Sequence, residues 1–213
     1  MKVIISLWLC FLFPDFLLLS AQDTFSIVAA DSTTREVGSA GASCVDLFAA
    51  GFIDPSFLGQ LLPDTGAINT QAFYLPTNQN NARIRMRAGD TPAQIINWLT
   101  EHDVQNNSSI RQYGIVGFTG TNVSAAGYTG VNTDDYKNHI TGNIGGVYYS
   151  IQGNILLGQE ILDSMEYRFR NESGDLACKL MAALQGANVV GADTRCAPDG
   201  TSTLFAFLKV AKP

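Results

Sequence analysis

The chain has 213 residues and a formal net charge of −6 at pH 7. The acidic balance and the lack of any block of basic residues exclude nucleic acid and anionic membrane surfaces as expected partners. The cysteine spacing matches no zinc pattern, and we expect neither a metal nor another cofactor.

The first 21 residues have the layout of a secretory signal peptide. Lys2 precedes an apolar run over residues 3–19, and Ala21 suits the last position before cleavage. A transmembrane anchor is the alternative, although Pro14 and Asp15 interrupt the run before it reaches the roughly 20 apolar residues that a span requires. We therefore predict an exported protein, periplasmic or extracellular, with a signal peptide at 1–21 and a single domain at 22–213.

Three cysteines remain after the leader, which allows one internal disulfide and one free thiol. Cys44 and Cys196 both follow turn-like sequence, whereas Cys178 lies in a predicted helix. We expect the disulfide to join Cys44 to Cys196. A catalytic cysteine is an alternative to a small buried residue.

The first predicted elements are two strands at 24–30 and 36–43, joined as a hairpin by a turn rich in Asp, Ser and Thr. The second strand is rich in glycine and alanine, which indicates that another layer packs closely on it. A further strand is predicted at 67–74. Two helices follow, one over 80–89 and one that Asp90 caps, with Pro92 in its first turn.

The second half of the chain repeats this order. Strands are predicted at 113–118, 124–129 and 148–156, two amphipathic helices follow from Gly158 and over 176–186, and a strand at 202–210 closes the chain. Residues 134–139 are expected to form a polar surface loop. Two groups of strands, each followed by a helix pair, predict two stacked sheets with helices outside both. A single mixed sheet with helices on both faces is the alternative.

Several polar residues could carry chemistry. His139 is a candidate general base that Asp135 would orient across one helical turn, although a solvated loop is the simpler interpretation of both residues. Gln152 and Asn154 flank Gly153 inside an apolar strand. Their amides could stabilise a developing oxyanion, or they could satisfy buried backbone groups at a strand bend.

Two further groups pose the same choice between function and structure. Gln71 ends a polar triplet at 69–71 in an otherwise apolar strand and needs hydrogen-bond partners if it is buried. Arg195 could clamp a substrate carboxylate while Asp193 holds its guanidinium, or the two could form a structural pair. Glycosylation sequons begin at Asn106, Asn107, Asn122 and Asn171 and carry meaning only in a eukaryotic secretory route.

Together these segments resemble the family called domain of unknown function 1028. The resemblance spans nearly the whole chain after the leader and rests on the runs at 24–29, 38–43, 70–72, 151–156 and 191–195, with His139 and Gly142. Its most specific part is the Gln-Gly-Asn segment at 152–154. That family is similar in fold to the N-terminal-nucleophile (Ntn) hydrolases, which implies an α+β fold built as a four-layer αββα sandwich but names no substrate.

In hydrolases of that fold, the residue that opens the first strand is the nucleophile and its free α-amino group is the base. The resemblance therefore implies that Thr24 is the nucleophile. It also implies that His139, Gln152 and Asn154 are catalytic and that Gln71, Asp193 and Arg195 bind the substrate.

Two features depart from the pattern of active Ntn hydrolases. Cleavage after the predicted leader leaves Gln22 and Asp23 ahead of Thr24, so further trimming is required before Thr24 has a free α-amino group. In addition, no lysine lies between Lys2 and Lys137 to adjust the proton affinity of the nucleophile.

The sequence thus predicts an exported amide-bond hydrolase that acts on a small polar molecule or a peptide-like substrate. A non-catalytic binding module for a small polar or cell-wall-derived ligand, on the same scaffold, is the main alternative. A purely structural protein ranks third, because polar triplets inside strands are costly without partners.

Overall fold

The strand that begins at Thr24 lies in the middle of a sheet. The computed structural model describes residues 24–213, so the predicted leader, Gln22 and Asp23 lie outside the described residues. The described strands are β1 (Thr24–Asp31), β2 (Val37–Ser43), β3 (Gly59–Leu62), β4 (Gly66–Ala72), β5 (Arg111–Thr119), β6 (Asn122–Thr129), β7 (Asn138–Ile144), β8 (Val147–Gly153) and β9 (Phe205–Ala211). The helices are α1 (Pro76–Arg87), α2 (Pro92–Glu101), α3 (Gln159–Asn171) and α4 (Leu176–Gly186), with short 3₁₀ helices at Ser108–Ile110 and Thr194–Asp199.

The strands form two antiparallel sheets, so the alternative of a single mixed sheet is wrong. One sheet has five strands in the order β7-β8-β1-β2-β9, and the other has four in the order β3-β4-β5-β6. The predicted hairpin is confirmed as β1 and β2, with Thr24 opposite Ser43. The fold is therefore α+β, as the sequence predicts.

The sequence missed β3, and its loop at 134–139 is only partly correct, because β7 begins at Asn138. β7 is an edge strand whose residues are half-buried or exposed, so it lacks the apolar alternation of a strand with one face in the core. The predicted cap of α2 is wrong by one residue. Thr91 caps that helix, and its hydroxyl accepts from the Gln94 N–H while the Gln94 side chain bonds back to the Thr91 N–H.

The helices cover the outer side of each sheet, because alternate strand residues are apolar. From β1, Phe25, Ile27 and Ala29 pack with apolar residues of α3 and α4 in one cluster. From the other sheet, Ile68 and Ile115 pack with apolar residues of α1 and α2 in a second cluster. Burial of each of these Phe and Ile side chains contributes about 1.5–3 kcal/mol.

The other alternate strand residues face the opposite sheet. They are apolar at one end of the strands and polar at the other. At one end, a third apolar cluster combines residues of the first two strands with residues of the four-stranded sheet: Val28, Ala30, Val37, Ala67, Val116 and Phe118. At the other end, where β1 begins, the buried residues are polar. They include Thr24, Ser26, Asn69, Gln71, Gln112 and Gln152.

The predicted disulfide between Cys44 and Cys196 is present. It ties the residue after β2 to the 3₁₀ helix at Thr194–Asp199, across a sequence separation of 152. Within the part of the chain that the structure describes, Cys178 is the free cysteine, and its thiol is exposed. No helix in residues 24–213 is long and apolar enough to span a membrane.

Candidate functional site

Thr24 lies at the polar end of the space between the two sheets and is fully buried. Because side chains alternate along a strand, Thr24 points to the same side as Ser26, toward the four-stranded sheet. The backbone of Thr24 is held at both polar atoms. Its N–H donates to Asn154 Oδ1 over 3.2 Å, and its carbonyl accepts from Gln71 Nε2 over 2.8 Å and from the Asn154 N–H over 3.1 Å.

Two of the amides that the sequence predicted, Gln71 and Asn154, therefore meet at Thr24. They come from different sheets: Gln71 lies on β4, and Asn154 follows β8 directly. Both side chains are almost fully buried, so their hydrogen bonds run through a space from which water is largely excluded. Polar groups in such a place are held firmly, because an unpaired one would cost about 1–3 kcal/mol.

Gln112 on β5 joins these two amides, and the sequence reasoning missed it. Its Oε1 accepts from Gln71 Nε2 over 2.6 Å and lies 3.4 Å from Asn154 Nδ2. Its Nε2 donates to Thr129 Oγ1 on β6 over 2.9 Å. In the sequence Gln112 directly precedes an apolar run, so it has the pattern of a polar residue that flanks a strand.

Gln152 lies beside Ser26, two residues further along β1 than Thr24. In register it is opposite Ser26, and its Nε2 lies 2.6 Å from Ser26 Oγ, while Ser150 donates to its Oε1 over 3.0 Å. The Ser26 hydroxyl in turn lies 2.5 Å from Gln71 Oε1. Gln152 thus belongs to the same buried network as Thr24 but contacts it through Ser26 and Gln71.

His139 lies at the far side of the network. Its Nδ1 is 2.9 Å from Thr129 Oγ1, whose hydroxyl also bonds to Gln112. Burial lowers the pKa of His139, which favours the neutral imidazole at neutral pH. The predicted orientation of His139 by Asp135 is wrong, because Asp135 is exposed and pairs with Lys137 at 3.1 Å.

Two glycines of the four-stranded sheet make room for these side chains. Gly114 and Gly127 are opposite each other on β5 and β6. A Cβ at Gly114 would overlap the side-chain amide of Gln152, and a Cβ at Gly127 would overlap the ring of His139. The sheets can approach closely here only because both positions lack a side chain.

Replacing Gly114 with alanine should destabilise the fold by about 1–3 kcal/mol, because a methyl group there overpacks the space that Gln152 occupies. Gln152 cannot move aside without losing its bonds to Ser26 and Ser150. The measurement is the midpoint of urea unfolding.

The matched control for this prediction is Gly117→Ala on the same strand. There a Cβ would lie 3.4 Å from Pro92 Cγ, an ordinary contact. Equal shifts in the two variants would show that Gln152 does not need the space above Gly114.

Asp193 and Arg195 lie on the other side of Thr24. Asp193 is fully buried, and its carboxylate accepts from Arg195 Nη2 over 2.7 Å, from Arg195 Nε over 3.0 Å and from the Cys44 N–H over 2.9 Å. Arg195 Nη2 also lies 3.5 Å from Ser43 Oγ, and Ser43 is the register partner of Thr24. The Arg195 side chain is 31% exposed, so this side of the site reaches the surface.

The disulfide holds together the two chain segments on this side of the site. Cys44 follows Ser43 and Cys196 follows Arg195, so the bond links the two segments that carry the Asp193–Arg195 pair. All seven site residues of the sequence analysis therefore lie in one region around the start of β1. Gln71 and Asn154 bond to Thr24 directly, whereas Gln152 and His139 are connected to it through other side chains.

A groove of about 360 Å³ lies elsewhere, between α4 and β9. Phe25 and Ala42 line its floor, and they point away from the polar network because they alternate with Thr24 and Ser43 along the strands. The groove is mainly apolar and carries no cluster of titratable groups. The described residues place just one group of His, Cys, Asp or Glu close enough to share a metal ion, at Cys44, Cys196 and Asp199, and its two sulfur atoms form the disulfide.

The chain is similar to known proteins in family and in fold. Residues 24–212 match the model of a family of unknown function, DUF1028. The crystal structure of protein SPO2555 from Silicibacter pomeroyi, described by the same family model, is similar with a TM-score of 0.68 and 22% sequence identity, over 90% of this chain and 76% of that one. At this identity the similarity indicates the fold alone. No curated protein matches the chain.

Proposed function

The chain belongs to the DUF1028 family of unknown function, and we propose that it is an exported amide-bond hydrolase of the Ntn type with Thr24 as its nucleophile. One observation carries the proposal. Thr24 opens the central strand of its sheet, and its backbone nitrogen and oxygen are both held by buried side-chain amides. The family match begins at the same residue.

We assign the fold to the four-layer αββα sandwich of the Ntn hydrolases. The three apolar clusters support this assignment, since one lies between the sheets and one lies under each helix pair. The apolar leader and the disulfide support export, because disulfides persist in oxidising compartments.

In the active form, trimming removes the residues ahead of Thr24 and frees its α-amino group. Thr24 Oγ1 then attacks the carbonyl carbon of a bound amide while its hydroxyl proton passes to the α-amino group. Asn154 Oδ1, 3.2 Å from the Thr24 nitrogen, accepts a hydrogen bond from this amine and orients it. The carbonyl oxygen becomes an oxyanion, for which Asn154 Nδ2 is the donor we propose.

The amine leaves when the C–N bond breaks and takes the proton from the α-ammonium group. A water molecule then attacks the threonine ester and gives its proton to the α-amino group, and the C–O bond to Thr24 breaks as that proton returns to Oγ1. The net reaction converts an amide and water into an amine and a carboxylic acid. The oxyanion role predicted for Gln152 stays a prediction, because its Nε2 is bonded to Ser26.

We propose that Arg195 selects substrates with a carboxylate near the scissile amide. Its guanidinium is oriented by the buried Asp193 and lies beside Ser43. Ser43 is directly opposite Thr24 on the neighbouring strand. A planar guanidinium fixed in this way matches the two oxygens of a carboxylate.

The test compares two preparations of the chain, one that starts at Gln22 and one that starts at Thr24. Each is incubated with a panel of acyl amides and dipeptides, and release of amine is measured. We expect amine release only from the chain that starts at Thr24. Equal activity of both preparations would contradict the free-amine mechanism.

The alternative is a binding module that uses the same cleft without turnover. It is favoured by the two residues that the predicted leader cleavage leaves ahead of Thr24. A ligand would then raise the melting temperature of the chain that starts at Gln22, by linkage of binding to folding, and no amine would appear.

A further inference from the structure

We propose that Gln112 is the positioning residue of the Thr24 site, which determines how the amides of Gln71 and Asn154 are turned. This inference rests on the proposed function for its catalytic consequence. The orientation of the Gln112 amide itself depends only on the groups that surround it.

The side-chain nitrogen of Gln112 lies against backbone carbonyl oxygens, which can only accept hydrogen bonds. Its side chain is fully buried, and Nε2 lies 2.9 Å from the Gly153 carbonyl and 3.1 Å from the Asn138 carbonyl. A flipped amide would place its oxygen against both carbonyl oxygens, and neither of them can donate to it. Only one orientation of the Gln112 amide therefore satisfies the strands β7 and β8.

The orientation of the Gln112 amide determines the orientation of the two amides that bond to Thr24. Because Gln112 Oε1 can only accept, Gln71 and Asn154 must both turn their NH₂ groups toward it. Asn154 then presents Oδ1 to the Thr24 nitrogen, the atom that becomes the catalytic base in the proposed mechanism. The carbonyls of Asn138 and Gly153 thus determine, through Gln112, which atom of Asn154 lies at the reacting residue.

The other end of the amide follows the same logic. Thr129 Oγ1 lies 2.9 Å from Gln112 Nε2 and 2.9 Å from His139 Nδ1. Because Gln112 Nε2 can only donate, the Thr129 oxygen accepts from it and the Thr129 proton stays available for a neutral His139 Nδ1. The Gln112 orientation is therefore compatible with a neutral His139.

The test is Gln112→Met, which keeps the length of the side chain and removes both polar atoms. We expect the side-chain NH₂ groups of Gln71 and Asn154 to exchange with solvent at least about 10-fold faster by NMR, since they lose the oxygen that holds them. In the chain that starts at Thr24, we expect kcat to fall about 10²-fold with KM nearly unchanged, as expected for a misplaced catalytic group.

The matched control is Gln79→Met. Gln79 on α1 is also buried, and its Nε2 bonds to the carbonyls of Phe57 and Leu58 and to Thr70 Oγ1, away from Thr24. It should destabilise the chain without changing exchange at Gln71 and Asn154 or the value of kcat. Equal exchange rates in the two methionine variants would overturn the proposal.

If Gln112→Met does not fold, Gln112→Glu decides the question. A protonated carboxyl group at this position keeps one donor and one acceptor, whereas the carboxylate only accepts and faces the Asn138 and Gly153 carbonyls. Exchange at Gln71 and Asn154 should therefore be slow below the pKa of the introduced carboxyl group and fast above it. Exchange that does not follow this titration would refute the role of Gln112.

A wild-type chain that starts at Thr24 but releases no amine contradicts the proposed function alone, because the exchange measurements still decide the role of Gln112.

Discussion

Thr24→Val should lower kcat/KM for amide hydrolysis by at least about 10³-fold in the chain that starts at residue 24, because it removes the attacking oxygen. Valine has nearly the shape of threonine, so the variant removes the hydroxyl without leaving a cavity at the start of β1. The backbone bonds of residue 24 to Gln71 and Asn154 do not involve its side chain. The measurement is initial rate of amine release against substrate concentration.

The matched variant for this prediction is Thr24→Ser, which keeps the hydroxyl and loses only a methyl group. It should retain turnover above the level of the valine variant, and mass spectrometry should detect an acyl group on residue 24 in the serine chain but not in the valine chain. Undiminished hydrolysis by Thr24→Val would assign the nucleophile to another residue. Asn154→Ala with full activity would remove the role proposed for that amide.

The second large effect is expected at a buried ion pair on the face of β5 opposite to the Gln112 side chain. Arg111→Met should destabilise the fold by about 3–5 kcal/mol, because it leaves the Asp103 carboxylate buried without its cation. Arg111 Nε lies 2.8 Å from Asp103 Oδ2, and both side chains are nearly inaccessible to solvent. Asn78 donates to the same carboxylate over 2.6 Å. Urea unfolding at neutral pH measures the change.

A double variant separates the loss of the pair from the loss of packing. Asp103→Leu combined with Arg111→Met removes both charges, and it should recover much of the stability because no unpaired ion remains buried. A double variant as unstable as the single one would show that the pair contributes through shape rather than charge.

The same pair predicts how acid affects stability. Burial raises the pKa of Asp103, but the Arg111 hydrogen bond and the Asn107 and Asn78 donors outweigh it and lower the pKa from 3.8 to about 2. A lowered folded-state pKa adds stability above the unfolded value, and that stability is lost as pH falls through the folded value. About 2 kcal/mol should therefore disappear between about pH 4 and pH 2 in the wild-type chain. A free energy of unfolding that stays level across that interval would contradict this pairing.

Local patterns predicted the elements of the fold because strands and helices have their own periods. The alternation along residues 24–30 and the apolar stripe of α3 are visible without any partner, and both elements are found where the sequence places them. Loop sequence around Cys44 and Cys196 also favoured the correct disulfide. Edge strand β7 was missed because a half-exposed strand of mixed polarity has no distinct period.

The candidate site was predictable only in part. A polar residue inside an apolar strand is visible in the sequence, which is how Gln71, Gln152 and Asn154 were selected. Gln112 and Thr129 stand at the ends of their strands, where polar residues are common and carry no signal. The pairing of His139 with Thr129 instead of Asp135 could not be predicted, because it depends on how β7 packs beside β6.

The residue pattern alone indicates that the chain is α+β, that Thr24 opens the first predicted strand, and that several amides interrupt apolar strands. These properties follow from residue types and short-range periodicity. The convergence of Gln71, Gln112 and Asn154 on Thr24 is visible only in the folded chain. Those residues lie far apart in sequence, and they meet because the register within each sheet and the stacking of one sheet on the other bring the same ends of β1, β4, β5 and β8 together.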